Sequence, residues 1–362
     1  MGNNTHSHHH HSDGHEHDHD QSQKHDWLPG WLTSKIHIIG HSHDHRELAS
    51  DRAFRENEHG IRTIWIALSI LLVTALLQML IVYFSGSVSL FADTAHNVGD
   101  GLNSIPLLIA FYLARRIPTR RYNYGFGRAE DVAGIIIVLS IAASAVIVFS
   151  QAIQRLMNPQ PLTNLGWVAA AGLLGFLGNE GVAMLQIRVG RKIGSAAMVA
   201  DGLHARTDGL TSLAVLLAAI GSWFGYPLVD PIIGLLIGIA IIFITWDAMK
   251  TIWYRLMDAV DPGLIDRAER VISYNVDVQE IRRIRMRWVG HCLHGEVYIS
   301  VNSDLKTAES HQIAEQVRHL LFHEFPDLSD INVHIDPWTG AEDNHHELTS
   351  AHEPVPIQIF KD

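Results

Sequence analysis

Six long apolar stretches constrain the fold of this chain more than any other feature. They cover roughly residues 62–84, 88–113, 131–155, 164–189, 196–224 and 228–250. A membrane-spanning helix needs about 20 mostly apolar residues, and a soluble protein would have to bury all six stretches in one core. The sequence therefore predicts an α-helical membrane protein, with six transmembrane helices in a domain over residues 61–255.

The basic residues between these stretches predict the orientation. They are concentrated after the second and fourth spans, at Arg115, Arg116, Arg120, Arg121, Arg128, Arg188, Arg191 and Lys192. The loops after the first and fifth spans, SGS and FGYP, carry no basic residue. Because positively charged loops stay in the cytoplasm, we expect both termini to be cytoplasmic. The protein is then a multi-pass protein of the cell (inner) membrane.

Histidine is concentrated in the N-terminal segment. Residues 1–60 are polar and low in complexity, and they hold many of the 25 histidines of the chain, alternating with Asp, Glu and Ser. Such a composition cannot form a packed core, so it predicts a disordered cytoplasmic tail. Mixed imidazole and carboxylate tracts bind Zn²⁺, Ni²⁺, Cu²⁺ or Co²⁺ with little discrimination. The tail is interpreted as a metal buffer or, alternatively, as a solvated segment.

The chain changes character after Asp261, where the long apolar runs end. Residues 262–274 and 307–325 have a helical apolar period, while 278–289, 293–303 and 330–336 alternate as strands do. We expect a small cytoplasmic α/β domain over residues 260–338 and a polar tail over 339–362. One cysteine excludes a disulfide framework, and the net charge of −11 does not fit a nucleic-acid binder.

A ten-residue motif occurs twice within the apolar spans. ADTAHNVGDG (92–101) lies in the second span and ADGLHARTDG (200–209) in the fifth. Ionisable residues at membrane depth cost roughly 2.5–3.5 kcal/mol or more, so they indicate function. The second copy lies three spans after the first, so the two helices run in opposite directions, as in inverted repeats with a substrate site at their interface. Glu180 and Arg206, in adjacent spans, are expected to pair.

The spacing within the motif predicts a metal site. Residues four apart share one face of a helix, so the two copies offer four ligands: His96, Asp100, His204 and Asp208. Two imidazoles and two carboxylates give the number of ligands that a tetrahedral zinc site uses. Asp93 and Asp201 lie three residues before each histidine and are predicted to accept a hydrogen bond from it. The alternative, a buried His–Asp pair that only locks a helix, does not account for two copies.

These features together resemble the cation diffusion facilitator family of proton-coupled zinc and divalent-metal transporters. The resemblance covers about residues 60–338 and includes HxxxD on spans two and five, YGFGRAE after span two and DPIIGLLIG in span six. It implies a metallochaperone-like cytoplasmic domain, a homodimer, alternating access and metal export in exchange for protons. Histidine in both motifs matches the zinc-preferring members. Arg128 and Asp258 match a charge pair that joins the loop after span two to the end of span six.

The resemblance also implies further metal sites, which this chain matches only in part. In the cytoplasmic domain, His311, His334 and Asp336 match ligands of the family. Two other ligand positions hold Gln279 and Tyr298, for which His291, Cys292 and His294 are possible replacements; otherwise these histidines are solvated surface residues. In the loop after span two, Thr119, Tyr122 and Phe126 stand where some relatives have ligands, so we expect no site there.

The predicted function is export of Zn²⁺ from the cytoplasm in exchange for protons, by a homodimer surrounded by lipid. Zn²⁺ is the substrate and a possible regulatory ligand. Metal requires neutral histidine and ionised aspartate, so its binding expels protons, and imidazole titrates near neutral pH. The alternatives are the same transport of Co²⁺, Ni²⁺, Cd²⁺ or Fe²⁺, a membrane metal sensor, or an intramembrane metalloenzyme. An enzyme is not favoured, because four ligands leave no open position on the metal.

Overall fold

The computed structural model describes residues 45–85, 99, 101–157, 164–226, 229–338 and 352. Its membrane part comprises α1 (His45–Ser85), α2 (Ser104–Ala114), α3 (Arg128–Met157), α4 (Leu165–Lys192), α5 (Ala196–Trp223) and α6 (Val229–Leu256). Asp93, His96 and Asp100 of the first motif lie outside the described residues. So do residues 1–44 and, apart from His352, the C-terminal tail.

The described helices have the length and composition of membrane spans. Four stretches are long and apolar enough to cross a membrane, Arg55–Ser85, Arg128–Gln154, Leu165–Lys192 and Val229–Leu256. Helix α2 is a shorter apolar helix, and α5 carries the charged residues of the second motif. Large apolar side chains point away from the bundle, including Leu72 and Leu76 on α1 and Phe243 on α6. A bundle with an apolar outer surface is suited to lipid rather than water.

The bundle is held together by one large apolar cluster, by smaller ones and by close helix contacts. The cluster joins α1, α2, α3, α5 and α6 through residues such as Ile64, Phe111, Ile137, Met198 and Ile252. Helix α4 packs along α5 and against α1. At Gly178, an added Cβ would lie 2.2 Å from the Thr74 Oγ1 atom, so only glycine permits α4 to approach α1 this closely.

Helix α1 begins earlier than the sequence predicted. The segment 1–60 was expected to be disordered, but the helix already includes residues from His45 onward. Residues 47–56 are rich in Glu, Arg, Ala and Leu, which favour helix in spite of their charge. The prediction of disorder from composition is therefore wrong for residues 45–60, which are helical. The remainder of the expected tail lies outside the described residues.

The soluble domain has the predicted α/β composition. It comprises α7 (Pro262–Ser273), β1 (Val278–Val289), β2 (Cys292–Asn302), α8 (Thr307–Glu324) and β3 (Leu328–Trp338). The sheet order is β1-β2-β3, with β1 and β2 antiparallel and β2 and β3 parallel. Helices α7 and α8 contact each other and the sheet, around Ile272, Val297, Val317 and Leu321. The β1–β2 turn and strand β3 both reach the membrane helices, the turn through His291 and Glu130 and β3 through α1.

Candidate metal centre

Helix α5 places the second motif inside the bundle. His204 and Asp208 lie one turn apart and are 2% and 7% exposed, with His204 Nε2 3.8 Å from Asp208 Oδ2. The Asn103 Nδ2 atom is 2.7 Å from the same His204 Nε2 atom. Asn103 immediately precedes α2 and follows Asp100 by three residues. The chain two residues after the first motif therefore meets the imidazole of the second motif.

Asp201 connects three helices beside this histidine. Its Oδ2 atom accepts hydrogen bonds from Ser104 Oγ on α2 (2.7 Å) and from Gln186 Nε2 on α4 (2.5 Å). The carboxyl group is buried, and the two donors satisfy one of its oxygens. This network fixes α2 and α4 against α5 at the level of the second motif.

The structure brings together part of the predicted ligand set. His204 and Asp208 are adjacent, whereas His96, Asp100 and the predicted hydrogen-bond acceptor Asp93 lie outside the described residues. Over the described ranges between 45 and 338, no three His, Cys, Asp or Glu side chains are close enough to hold a metal ion. The four-ligand site thus stays a prediction.

Three polar residues near the second motif were not predicted. Asn103 and Ser104 follow Asp100 by three and four residues, the spacing of one helix face, so the rule that selected His96 and Asp100 would also have selected them. Gln186 offers no such spacing signal. Its role depends on the packing of α4 against α5.

A second polar contact joins α4 to α5. Arg206 donates two hydrogen bonds to Glu180, Nε to Oε2 at 3.2 Å and Nη2 to Oε1 at 2.8 Å. This is the pair expected from two ionisable residues in adjacent spans. The two-pronged geometry makes the contact both strong and directional, so α4 and α5 are joined on two faces of α5.

The predicted ligands of the soluble domain are only partly assembled. On β3, His334 Nε2 is 3.1 Å from Asp336 Oδ1, and the Tyr298 ring lies 5.1 Å from the His334 ring. Arg282 Nε is 3.8 Å from the other oxygen of the buried Asp336. His311 is exposed on α8 and does not complete a group of three with them in the described part of this chain. A metal site here stays a prediction.

The possible replacement ligands have other neighbours. His294 Nε2 is 3.2 Å from Ser329 Oγ, and burial lowers the pKa of His294 below its usual range near 6.5. His291 lies in the β1–β2 turn and Cys292 at the start of β2, seven and six residues before Tyr298. The soluble domain contacts the membrane helices at this turn.

The Arg128–Asp258 pair lies at the same junction. Arg128 Nη2 donates a hydrogen bond to Asp258 Oδ1, and Nη1 donates to the Arg255 carbonyl oxygen at 3.2 Å. Arg287 of β1 approaches Asp258 Oδ2 to 3.9 Å. The start of α3, the end of α6 and the soluble domain therefore converge on one charged cluster.

Comparison with known proteins agrees with this architecture. Residues 64–257 match the family model described as the cation efflux transmembrane domain, and residues 260–338 match the cytoplasmic domain of cation efflux proteins. A "Probable cation efflux system protein" of Mycobacterium tuberculosis is 50% identical over 297 residues, which cover 82% of this chain and 89% of the relative.

More distant relatives extend over similar lengths. The manganese efflux system protein MneS of Bacillus subtilis is 25% identical over 75% of this chain and 93% of its own length. The cation-efflux pump FieF of Klebsiella pneumoniae is 26% identical over 70% of this chain and 85% of its own. Both matched domains occur here in one chain, in the order membrane domain and then soluble domain. The chain therefore belongs to the cation diffusion facilitator family and is a multi-pass membrane transporter for cation efflux, not an enzyme.

Proposed function

We propose that this transporter exports Zn²⁺ from the cytoplasm in exchange for protons, through a site formed by His96, Asp100, His204 and Asp208. The contact between Asn103 and His204 carries this proposal. It brings the chain three residues beyond Asp100 to within 2.7 Å of the His204 imidazole. Asp100 precedes Asn103 by only three residues, which span at most about 11 Å when fully extended, and this short separation supports placing the first motif within reach of the second.

The chemistry of the four side chains favours zinc. Imidazole suits zinc and later transition metals, whereas an all-oxygen set suits manganese and magnesium. Two imidazoles and two carboxylates also neutralise a divalent ion inside the membrane. The alternative cargoes are Co²⁺, Ni²⁺, Cd²⁺ and Fe²⁺, and the name of one relative adds manganese to the ions worth testing.

The contacts of His204 support an exchange of metal for protons. If the Asn103 amide donates to Nε2, that nitrogen holds a lone pair, and this is the form that binds a metal ion. Metal would replace the amide and would require ionised Asp208. Protonation of the imidazole and the carboxylates on the opposite side of the membrane then releases the ion. Asp201, held by Ser104 and Gln186, keeps the helices in register around the site.

The remaining features complete the proposal. The protein works as a homodimer in the inner membrane, with both termini and the soluble domain in the cytoplasm. His311, His334 and Asp336 provide a regulatory metal site, and Asp93 supports His96 as Asp201 supports the second motif. The basic loops after the second and fourth spans support this orientation.

The test is metal uptake into proteoliposomes across a pH gradient, with Zn²⁺, Cd²⁺ and Mn²⁺ compared. We expect Zn²⁺ uptake coupled to proton counterflow, whereas a membrane metal sensor would move no metal in sealed vesicles. His96→Asp should raise the ratio of Cd²⁺ to Zn²⁺ flux and should move the pH profile to lower pH. The reason is that a carboxyl with a reference pKa of about 3.9 replaces an imidazole near 6.5.

The matched control is His59→Asp, the same change at an exposed position of α1. This control should leave both the flux ratio and the pH profile unchanged. An unchanged ratio and profile in His96→Asp would remove His96 from the ligand set.

A further inference from the structure

The turn between β1 and β2 inserts a histidine into the cytoplasmic end of the membrane bundle. His291 Nδ1 lies 2.8 Å from Glu130 Oε2 on α3, and the two side chains are only 3% and 2% exposed. Glu130 begins a membrane helix, whereas His291 belongs to the soluble domain. Breaking a buried pair of this kind is strongly unfavourable, because it leaves one group without its partner.

The imidazole also packs as part of the bundle core. Its ring lies parallel to the Phe111 ring on α2, at a centroid distance of 5.8 Å and an angle of 7°. Phe111 is fully buried, and Gly60 of α1 backs it so closely that an added Cβ would lie 2.3 Å from Phe111 Cε1. His291 thus contacts α2 and α3 directly and reaches α1 through one aromatic ring.

The backbone of the turn is fixed from two further directions. Arg255 at the end of α6 donates to the Gly290 carbonyl (3.1 Å) and to the Gly194 carbonyl between α4 and α5 (2.9 Å). Its guanidinium lies 4.2 Å from the Trp288 ring. Gly290 has φ of 60°, and a Cβ there would lie 2.8 Å from the Gly127 carbonyl oxygen. The turn therefore fits only without a side chain at Gly290.

Two direct neighbours of His291, Cys292 and Glu130, favour its protonated form. Glu130 is its direct partner; Asp131, Arg255 and Cys292 lie beside the same turn. Burial by itself lowers the pKa of His291, but Cys292 and Glu130 outweigh it and raise that pKa well above 6.5. His291 Nε2 has no hydrogen-bond partner among the described residues. The Nδ1 atom is thus the ring nitrogen that faces Glu130.

Helix α2 links this contact to the candidate metal centre. Phe111 lies seven residues after Ser104, about 10 Å along the helix. Ser104 donates to Asp201, and the adjacent Asn103 contacts His204. The same short helix therefore contacts His291 at one end and the second motif at the other.

We propose that His291 is a positioning residue for cation efflux: paired with Glu130 and stacked on Phe111, it makes α2 and α3 move with the soluble domain during turnover. The pair sets the rate of the conformational step and leaves the cation affinity unchanged. The proposal goes beyond the proposed function, since it depends on neither the identity of the cation nor the exchange for protons.

The test uses the full chain in proteoliposomes, with the cation that gives the highest flux. His291→Gln and Glu130→Gln should each lower maximal flux roughly tenfold, while the cation concentration for half-maximal flux stays within about twofold. The double variant should lose less than the two single losses combined, since the partners act as one unit. His319→Gln, an exposed histidine on α8, is the control and should transport normally.

A second readout comes from the only cysteine of the chain, Cys292, next to His291. At pH 7 a maleimide should react slowly with Cys292 in the wild type and several-fold faster in both single variants. Phe111→Leu removes the ring contact and keeps both members of the pair, so it should lower flux and speed Cys292 labelling to a smaller extent. This variant replaces His291→Gln or Glu130→Gln in the test if either of them does not assemble.

The outcomes separate this proposal from the metal site. Normal flux in the single variants, reduced flux with unchanged Cys292 labelling, or reduced flux with weakened cation affinity would each overturn the proposal. Asp208→Asn should stop flux while Cys292 labelling stays slow. Failure of that variant bears on the proposed metal site and not on His291.

Discussion

Two buried histidines of this protein face carboxylates in different ways. His204 in the bundle is 3.8 Å from Asp208 and has the Asn103 amide 2.7 Å from the same nitrogen. His291 at the junction is 2.8 Å from Glu130, with direct ion-pair geometry. Similar burial therefore accompanies different chemistry. A direct carboxylate contact favours a charged, structural imidazole, whereas an amide donor favours the neutral form that metal requires.

The neighbours of each histidine also differ in origin. His204 contacts residues of the membrane helices, while His291 is carried by the soluble domain and surrounded by the ends of α2 and α3. Variants around His204 should stop efflux without weakening the packing of the protein. Variants around His291 should instead weaken the contact between the soluble domain and the membrane helices.

The largest expected effect is at the second motif. Asp208→Asn removes a carboxylate that we propose as a ligand, so efflux should fall to background while assembly is preserved. The control is Asp247→Asn on the exposed face of α6, which should transport at the wild-type rate. Measurable flux in Asp208→Asn under saturating metal would show that the two histidines do not differ in function as described.

A smaller but clear effect is expected at Gly290. Alanine there would add backbone strain of about 1–2 kcal/mol and would place its Cβ 2.8 Å from the Gly127 carbonyl oxygen. We expect faster labelling of Cys292 and reduced flux. Gly225→Ala separates strain from contact, since Gly225 also has positive φ (82°) but nothing lies within 4 Å of an added Cβ. Equal effects of the two variants on Cys292 labelling would contradict the tight junction.

The junction should also respond to pH in a defined direction. The pKa of His291 is raised by folding, so its stabilising contribution is complete below about 6.5 and is lost as pH rises through the raised pKa. Labelling of Cys292 should therefore accelerate at alkaline pH more than thiol ionisation alone explains. His291→Gln measured at each pH supplies that baseline. A constant ratio of wild-type to variant labelling rates across pH 6 to 9 would contradict the charged pair.

The smallest effect is expected for the histidine-rich segment. Deleting residues 1–44 keeps all of α1 and leaves both His204 and His291 in place. Flux at saturating metal should be retained, with a change mainly at low metal concentration. Complete loss of efflux in a well-assembled truncation would place this segment in the transport pathway.

The sequence predicted elements whose pattern is local. The strand expected at 278–289 is confirmed as β1, Val278–Val289. Its alternation of apolar and polar residues can be recognised from neighbouring positions in the sequence, without knowledge of any distant contact. The i,i+4 spacing predicted that His204 and Asp208 share a face. The same rules did not reveal the burial of His291, since a histidine in a hairpin turn is usually solvated. Its environment is supplied by Phe111 and Glu130, far away in sequence.

The length of α1 has a mechanical consequence. Its 41 residues correspond to about 62 Å at 1.5 Å per residue, roughly twice the hydrocarbon thickness of a bilayer. Charged residues end at Arg62, so the part before it, residues 45–62, extends about 27 Å beyond the apolar span. Helix α1 also contacts β3. One continuous helix therefore joins the apolar span to the soluble domain, and shortening it by whole turns should change the spacing between the two while leaving the proposed metal ligands in place.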